Sequence, residues 1–359
     1  MHALRDPKNQ FHFLSELLLA PDTSQMPDGT GDLNPELFEQ IAGLAAKNHV
    51  VVRALSRLCE LLSSNGSATL AESVSLTVEK EKSRILHALA FLDNICATLE
   101  QNGCPVTVIK SLDHWPDLGS DLDLYTDASP DHLVDLMQTK FHARVDDRSW
   151  GDRLANKWNF VVPGLPELVE VHIGRLGQTG EQTALTKSLA QRTRIIEIGQ
   201  HSFRVLAPED RVIVSTLQRM YRHFYIRLCD VVDNATLLES GSVDISRLHS
   251  LGFSAGIWEG IASYLTIVSG YVQAFRGHGI NLPALVTGSA KFGVGQVYYR
   301  RDFLRVPILP HSMSLYAGEL RELVMRGDVR NSLRLSLLPG LATAAALEMR
   351  LTGSDKGIW

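Results

Sequence analysis

Asp121 and Asp123 stand two residues apart in the run Asp121-Leu122-Asp123-Leu124-Tyr125. In a strand, residues two apart project to the same face. If Leu122 and Leu124 face a core, the two carboxylates therefore emerge together on the other side. Carboxylates held that close repel one another and call for a cation between them. Glu170 lies in a later run, Leu168-Val169-Glu170-Val171-His172-Ile173, whose alternation puts Val169, Val171 and Ile173 on one face and Leu168, Glu170 and His172 on the other. Carboxylates from neighbouring strands suit a two-metal phosphoryl-transfer site. Mg²⁺ takes oxygen ligands and leaves its other positions to water and substrate phosphates. Two such ions about 3.5–4 Å apart activate the attacking oxygen and stabilise the leaving one. Taken alone, an Asp-x-Asp pair reads equally well as two solvated acids on an exposed strand face.

Other side chains bear on the same chemistry. The apolar run Val106–Ile109 ends in Lys110-Ser111. A lysine there either meets phosphate as a point charge or reaches solvent from a strand end. His172, on the Glu170 face, either orients that acid, touches a substrate or is a hydrogen-bonded buried histidine. Asp113 and Asp117 lie in the connecting turn, where Asp is favoured for turn reasons alone. Arg219, Arg222 and His223 are spaced i, i+3, i+4 on a helical stretch and share a face. They either grip a triphosphate or form a solvated surface, and Asp230 and Asp233 are placed to pair with them. Phe292-Gly293-Val294-Gly295-Gln296 follows no clear strand and reads as a loop, not a dinucleotide fingerprint.

These residues need elements to hold them. Residues 1 to about 102 have helical periodicity, broken by polar loops at Pro21–Asn34 and Ser63–Ser67. Asn34-Pro35 and Ser129-Pro130-Asp131 are helix starts, each a capping side chain followed by Pro in the first turn. A long helix is expected over about Leu70–Gln101, with Leu86, Leu89, Leu92, Cys96 and Leu99 as its apolar stripe, widened by Ile85, Ala88 and Ile95, and Asn102-Gly103 as its stop. From Cys104 the pattern becomes mixed: strands at Pro105–Lys110, Asp121–Tyr125, about Phe141–Val145, Trp158–Val162 and Leu168–Ile173, a helix over Gln178–Gln191, and a hairpin flanking Gly199-Gln200-His201. After Ala207-Pro208-Glu209-Asp210 the pattern is helical again, with Trp258–Phe275, Leu315–Met325 and Asn331–Leu351 as helices. The expected fold is α+β: a small mixed sheet core (104–206) flanked by an N-terminal helical region (1–103) and a C-terminal one (207–359).

The chain has 359 residues, 45% of them apolar and 21% charged, a composition that supplies ample core. A formal net charge of -5 gives no overall basic field for nucleic acid or an anionic membrane. Cys59, Cys96, Cys104 and Cys229 have no C-x-x-C spacing and read as buried reduced thiols, which suits a cytoplasmic location. Glu16 interrupts the first apolar run, against a signal peptide. Leu335–Met349 is short and holds Pro339-Gly340, so it reads as a buried helix and not a membrane span.

The motifs together resemble the DNA polymerase β-like nucleotidyltransferase superfamily, whose signature is an apolar strand, G-[G/S], roughly ten residues, then D-h-[D/E]-h. Within it, the order of motifs is similar to a largely uncharacterised bacterial nucleotidyltransferase family. The matching residues are Cys104-Pro105-Val106-Thr107-Val108-Ile109-Lys110-Ser111, Asp121-Leu122-Asp123-Leu124, Glu170-Val171-His172, Leu206-Ala207-Pro208-Glu209-Asp210 and Leu228-Cys229-Asp230-Val231-Val232-Asp233. The order holds from about residue 35 to 240. Two places depart from the family: Ser111 stands where it usually has Gly, and His172-Ile173-Gly174-Arg175 where it often has His-Trp-Arg. The resemblance implies that Asp121, Asp123 and Glu170 are the catalytic, metal-holding carboxylates for Mg²⁺ or Mn²⁺, two ions with a bound NTP such as ATP. It implies that Ser111 and the adjacent backbone touch the terminal phosphates; Lys110, Arg219, Arg222 and His223 are the further phosphate-binding candidates, and His172 a candidate substrate contact. The expected activity is transfer of NMP to a hydroxyl on an unidentified small molecule, protein or tRNA, with no membrane partner. The alternative is a catalytically silent nucleotide- or partner-binding protein on the same fold.

Overall fold

The structure is a computed structural model and describes residues 3–21, 27–177, 179–186 and 189–340. The fold is α+β, a mixed sheet with flanking helices. Ten strands are described: β1 (Thr107–Val108), β2 (Asp121–Thr126), β3 (Arg144–Val145), β4 (Lys157–Val161), β5 (Leu168–Ile173), β6 (Thr193–Ile198), β7 (His201–Leu206), β8 (Tyr225–Ile226), β9 (Tyr298–Arg300) and β10 (Phe303–Arg305). The main sheet has seven strands in the order β3-β4-β5-β2-β1-β7-β6. β2 runs parallel to β5 and β1 parallel to β7, and the remaining pairs are antiparallel.

Local chemistry starts the helices where the sequence indicates. Asn34 Oδ1 accepts from Leu37 N at 3.0 Å, with Pro35 in the first turn. Ser129 Oγ accepts from His132 N at 3.2 Å, with Pro130 first in its helix. The long helix runs Ala68–Gln101, and Gly103 follows it at φ +77, the left-handed stop that Gly adopts without a Cβ penalty.

One face of the sheet is apolar. Leu122, Leu124, Val169, Val171 and Phe160 are fully buried against Ile85, Leu89, Leu92 and Leu99 of the long helix and Leu133 and Met137 of the helix Pro130–Phe141. Burying such a side chain is worth about 1.5–3 kcal/mol. The long helix corrects one expectation: Leu86 is 61% exposed. The buried stripe is centred on Ile85, Ala88, Leu89, Leu92, Ile95 and Leu99, and Leu86, one 100° step beyond Ile85, points away from it. On the opposite face Ile109 and Tyr125 join a second core with Val214, Leu217 and Met220, which also takes in the N-terminal helices through Phe11, Leu14, Leu55 and Leu58. That second layer roofs the polar face of the sheet.

Three further expectations change. Over Gln178–Gln191 the described helix covers only Thr183–Thr186, with a 3₁₀ turn at Leu189–Gln191; residues 178, 187 and 188 lie outside the described residues. Gly180 breaks the pattern: its φ is +70, and a Cβ there would lie 2.9 Å from Leu154 O. The C-terminal helical region also holds a three-stranded sheet, β8-β10-β9. Strands of two or three residues are too short for a period of two to be read. Of the expected helix Asn331–Leu351, Val329–Ser336 is helical, and residues 341–351, with most of Leu335–Met349, lie outside the described residues. Among the described residues no helix is long and apolar enough to cross a membrane.

Candidate active site

The β2–β5 register sets the site. Asp121 pairs with Leu168, Asp123 with Glu170 and Tyr125 with His172. Partners across parallel strands share a face, so Asp123 and Glu170 stand side by side and Asp121 one step along the same face. Ser111 fixes β2 from the neighbouring turn. Its Oγ accepts from Asp123 N at 2.7 Å and donates to Asp121 O at 3.3 Å. The hydroxyl is therefore committed to backbone, although Ser111 borders the same cavity as the carboxylates.

Lys110 precedes it in a γ-turn. Its φ is 68 and ψ −55, and Ser111 N donates to Ile109 O at 2.8 Å. Positive φ at a residue with a Cβ costs about 1–3 kcal/mol and persists only where the surroundings over-determine it. The turn aims the Lys110 ammonium inward, where it pairs closely with Asp123 Oδ1 and lies 3.6 Å from Glu170 Oε1.

Glu170 is held on every side. Lys157 Nζ, from β4, is 2.8 Å from Glu170 Oε2 and 2.8 Å from Asp152 Oδ1. His172 Nε2 is 2.9 Å from Glu170 Oε1. Burial pushes the His172 imidazole down to about 4, so it is neutral at pH 7. A carboxylate only accepts, so Nε2 carries the proton and His172 Nδ1 is a buried acceptor without a hydrogen-bond partner among the described residues. Burial raises the Glu170 carboxyl, but Lys110, Lys157 and His172 outweigh it and hold it well below the usual range. Asp123 goes the other way: burial, with Glu170 and Asp121 nearby, outweighs Lys110 and pushes it up to about 7. Asp121 is also raised, by burial and then by Glu170.

The donor set is that of a hard divalent cation. Asp121, Asp123 and Glu170 face one cavity of about 190 Å³, and ligand atoms of Asp123, Glu170 and His172 lie within 4.8 Å of one another. Oxygen donors dominate, as Mg²⁺ and Mn²⁺ require. Lys110 already neutralises Asp123, so a cation there competes with an ammonium group. Asp121 makes no ion pair among the described residues and is the carboxylate left over.

The basic wall of the cavity comes from Lys110, Lys157, Arg219, Arg222 and Arg227, with His223 beside them. Their roles differ. Leu217–His223 is π-helical, with i→i+5 bonds that alter the face expected from i, i+3, i+4 spacing. Arg219 is 1% exposed and its Nε lies 2.7 Å from Asp230 Oδ2. The Arg222 and Arg227 side chains are half-buried and their guanidiniums form no ion pair among the described residues; that of Arg227 donates to Tyr225 Oη at 3.4 Å, and its backbone N donates to Asp230 Oδ2 at 2.7 Å. Burial and the neighbouring arginines hold His223 well below the usual range, so it is neutral. Arg222, His223 and Tyr225 also border a larger, more apolar cavity of about 630 Å³.

Sequence reasoning passed over several members. Lys157 is visible in sequence only as a polar alternate on β4. Asp117 does more than turn the chain: it accepts from Val52 N at 2.6 Å and pairs with Arg53 Nε at 2.8 Å. Asp113 pairs with Arg211 at 2.6 Å. Asp233 does not meet the Arg219 group; it binds Arg53 Nη1 at 2.6 Å and His114 Nδ1 at 2.5 Å. Partners separated by 64 to 180 positions leave no local signal.

No family model matches the chain, and no curated protein matches it. Among solved structures it is similar to an antigenic nucleotidyltransferase-like protein from Paracoccidioides brasiliensis, at 11% identity and a TM-score of 0.34, over 56% of this chain and 97% of that one. At that distance the likeness assigns neither a family nor an activity.

Proposed function

We propose that this chain is a metal-dependent nucleotidyltransferase that moves NMP from an NTP to a hydroxyl acceptor. One observation carries the reading: Asp121, Asp123 and Glu170, delivered by paired strands, face a single cavity walled by Lys110, Lys157, Arg222 and Arg227. Carboxylates for a cation beside guanidiniums that form no ion pair among the described residues is the charge pattern of a metal–triphosphate site. In the transfer, the acceptor oxygen bonds to the α-phosphorus, the bond to the β-phosphate bridge breaks, pyrophosphate leaves, and the acceptor proton passes to a base.

Asp121 and Asp123 would hold Mg²⁺ or Mn²⁺, with Glu170 as third carboxylate, either ligand or base. The bound ions supply charge neutralisation at the phosphate oxygens. Lys110, Arg222 and Arg227 would bind the phosphates, with His223 a neutral hydrogen-bonding neighbour. Ser111 holds the Asp123 backbone at the phosphate end, Arg219 acts through its pair with Asp230, and neutral His172 orients Glu170. Four free cysteines suit a reducing, cytoplasmic setting.

A second reading rests on Glu170. Two lysines and a histidine already engage it and hold it ionised, so it is a weak base as it stands. A protein that binds the triphosphate without turnover fits that feature. Incubation with α-labelled ATP, GTP, CTP or UTP and candidate acceptors separates the two. Transfer of label that Glu170→Gln abolishes supports the enzyme; binding with no label transferred to any acceptor supports the silent binder.

A further inference from the structure

A second group of metal-type donors lies at the edge of the same cavity but has different chemistry. His49 is in the turn between the helices Pro35–Lys47 and Val51–Ser64, His114 ends the 3₁₀ turn Ser111–His114, and Cys229 is in the first turn of the helix Leu228–Glu239. Ligand atoms of all three lie within 4.8 Å of one another. Two imidazoles and a thiol are borderline-to-soft donors, the set that selects Zn²⁺ and its transition-metal relatives over Mg²⁺.

The surroundings hold this group in place. Cys229 Sγ is 3.9 Å from His114 Nε2; Zn–S of about 2.3 Å and Zn–N of about 2.0–2.1 Å at a tetrahedral angle imply a separation of about 3.5 Å. His114 Nδ1 faces Asp233 Oδ2 at 2.5 Å, and Asp233 is held by Arg53 Nη1 at 2.6 Å. A carboxylate behind a histidine places the proton on Nδ1 and leaves the Nε2 lone pair for a metal. Asn48 ties the other two segments together: Leu228 N donates to its Oδ1 at 3.1 Å and Cys229 N to its carbonyl at 3.3 Å. His49 Nδ1 is buried with no hydrogen-bond partner among the described residues. Gly119 keeps room beside that ring, since a Cβ there would come within 3.1 Å of it. His49 and His114 both border the carboxylate cavity.

We propose that His49, His114 and Cys229 bind one zinc-type divalent ion, with Asp233 orienting His114 and the fourth coordination position open to the carboxylate cavity. Three protein ligands and one open position is the arrangement of a reactive zinc site, and three cross-linked chain segments give the ion a clamping role as well. The site does not rest on the nucleotidyltransferase reading.

The test uses the full chain, stripped of metal and titrated with Co²⁺ alone. The expected result is a near-ultraviolet thiolate-to-cobalt charge-transfer band, with the visible bands of tetrahedral cobalt, that saturates at one Co²⁺ per chain; Co²⁺ at the carboxylates adds no such band. Cys229→Ser removes the charge-transfer band, and Asp233→Asn weakens Zn²⁺ competition by about 10–100-fold. Should Cys229→Ser fail to fold, His49→Gln keeps the thiol and lowers affinity by about tenfold or more. Absence of the band, or a band that survives Cys229→Ser, overturns the proposal. The Asp121→Asn, Asp123→Asn double variant keeps the band, since no carboxylate supplies a thiolate transition; loss of it there means that the ion depends on the carboxylates and overturns the three-ligand assignment. A retained band with no triphosphate binding leaves this site standing and removes the transferase.

Discussion

Lys157 Nζ sits 2.8 Å from Glu170 Oε2, with both side chains largely buried and Asp152 as the second partner of the ammonium. The lysine is the counter-charge for two carboxylates that have left bulk water. Lys157→Met leaves both without it. Breaking a buried pair from one side costs about 3–5 kcal/mol. Urea unfolding at pH 7.5 checks this: the midpoint falls with the slope unchanged. A loss under about 1 kcal/mol, the worth of an exposed pair, means that the pair is solvated.

Arg219 and Arg222 separate structure from binding although three positions divide them. Arg219 is buried against Asp230, whereas Arg222 is half-buried with no carboxylate partner among the described residues. Arg219→Leu is expected to lose about 3–5 kcal/mol of stability. Arg222→Ala is expected to keep its melting temperature within a few degrees and to weaken triphosphate binding by about tenfold, the loss of one charge-assisted contact of about 1.5 kcal/mol. Thermal melts and calorimetric titration of both variants read the split. Equal effects on both quantities in both variants contradict it.

Glu319 supplies a pH test away from the site. It is 1% exposed, accepts from Gln182 Nε2, and faces Glu181, Tyr221 and Tyr316. Burial, then Glu181, raises its carboxyl well above 4.5. A group whose folded pKa is raised contributes stability that is complete below the unfolded value and is lost as pH rises through the folded one. Glu319→Gln therefore changes stability little at pH 5 and raises it relative to the parent at pH 9, read by urea unfolding at both. A larger benefit at pH 5 reverses the sign and contradicts the assignment.

What was legible in sequence follows from range. The alternation around Leu122, Leu124, Val169 and Val171 is local, and it fixes which face carries Asp121, Asp123 and Glu170. The caps at Asn34 and Ser129 are local too. Leu86 differs because the stripe takes it as a central member and Ile85 as the widening, whereas Ile85 carries the buried face and Leu86 lies one 100° step beyond it. The short strands β8 to β10 escaped because they hold too few positions to show a period, and β8 meets β10 only across the pair Ile226–Leu304 and its neighbour. The counter-ions of the site escaped because the fold chooses them: Lys157 meets Glu170 across the β4–β5 pair, and Arg53 meets Asp117 and Asp233 from 64 and 180 positions away. The resemblance supplied the order of motifs, whereas the ion pairs come from the fold.

The central claim is that Asp121 and Asp123 hold a cation to which a triphosphate binds. Isothermal titration of ATP, GTP, CTP and UTP into the full chain at pH 8, with and without Mg²⁺ or Mn²⁺, tests it most directly. The account predicts binding of at least one triphosphate that requires the metal and disappears in the folded Asp121→Asn, Asp123→Asn double variant. Metal-independent binding, or binding unchanged in that variant, contradicts it.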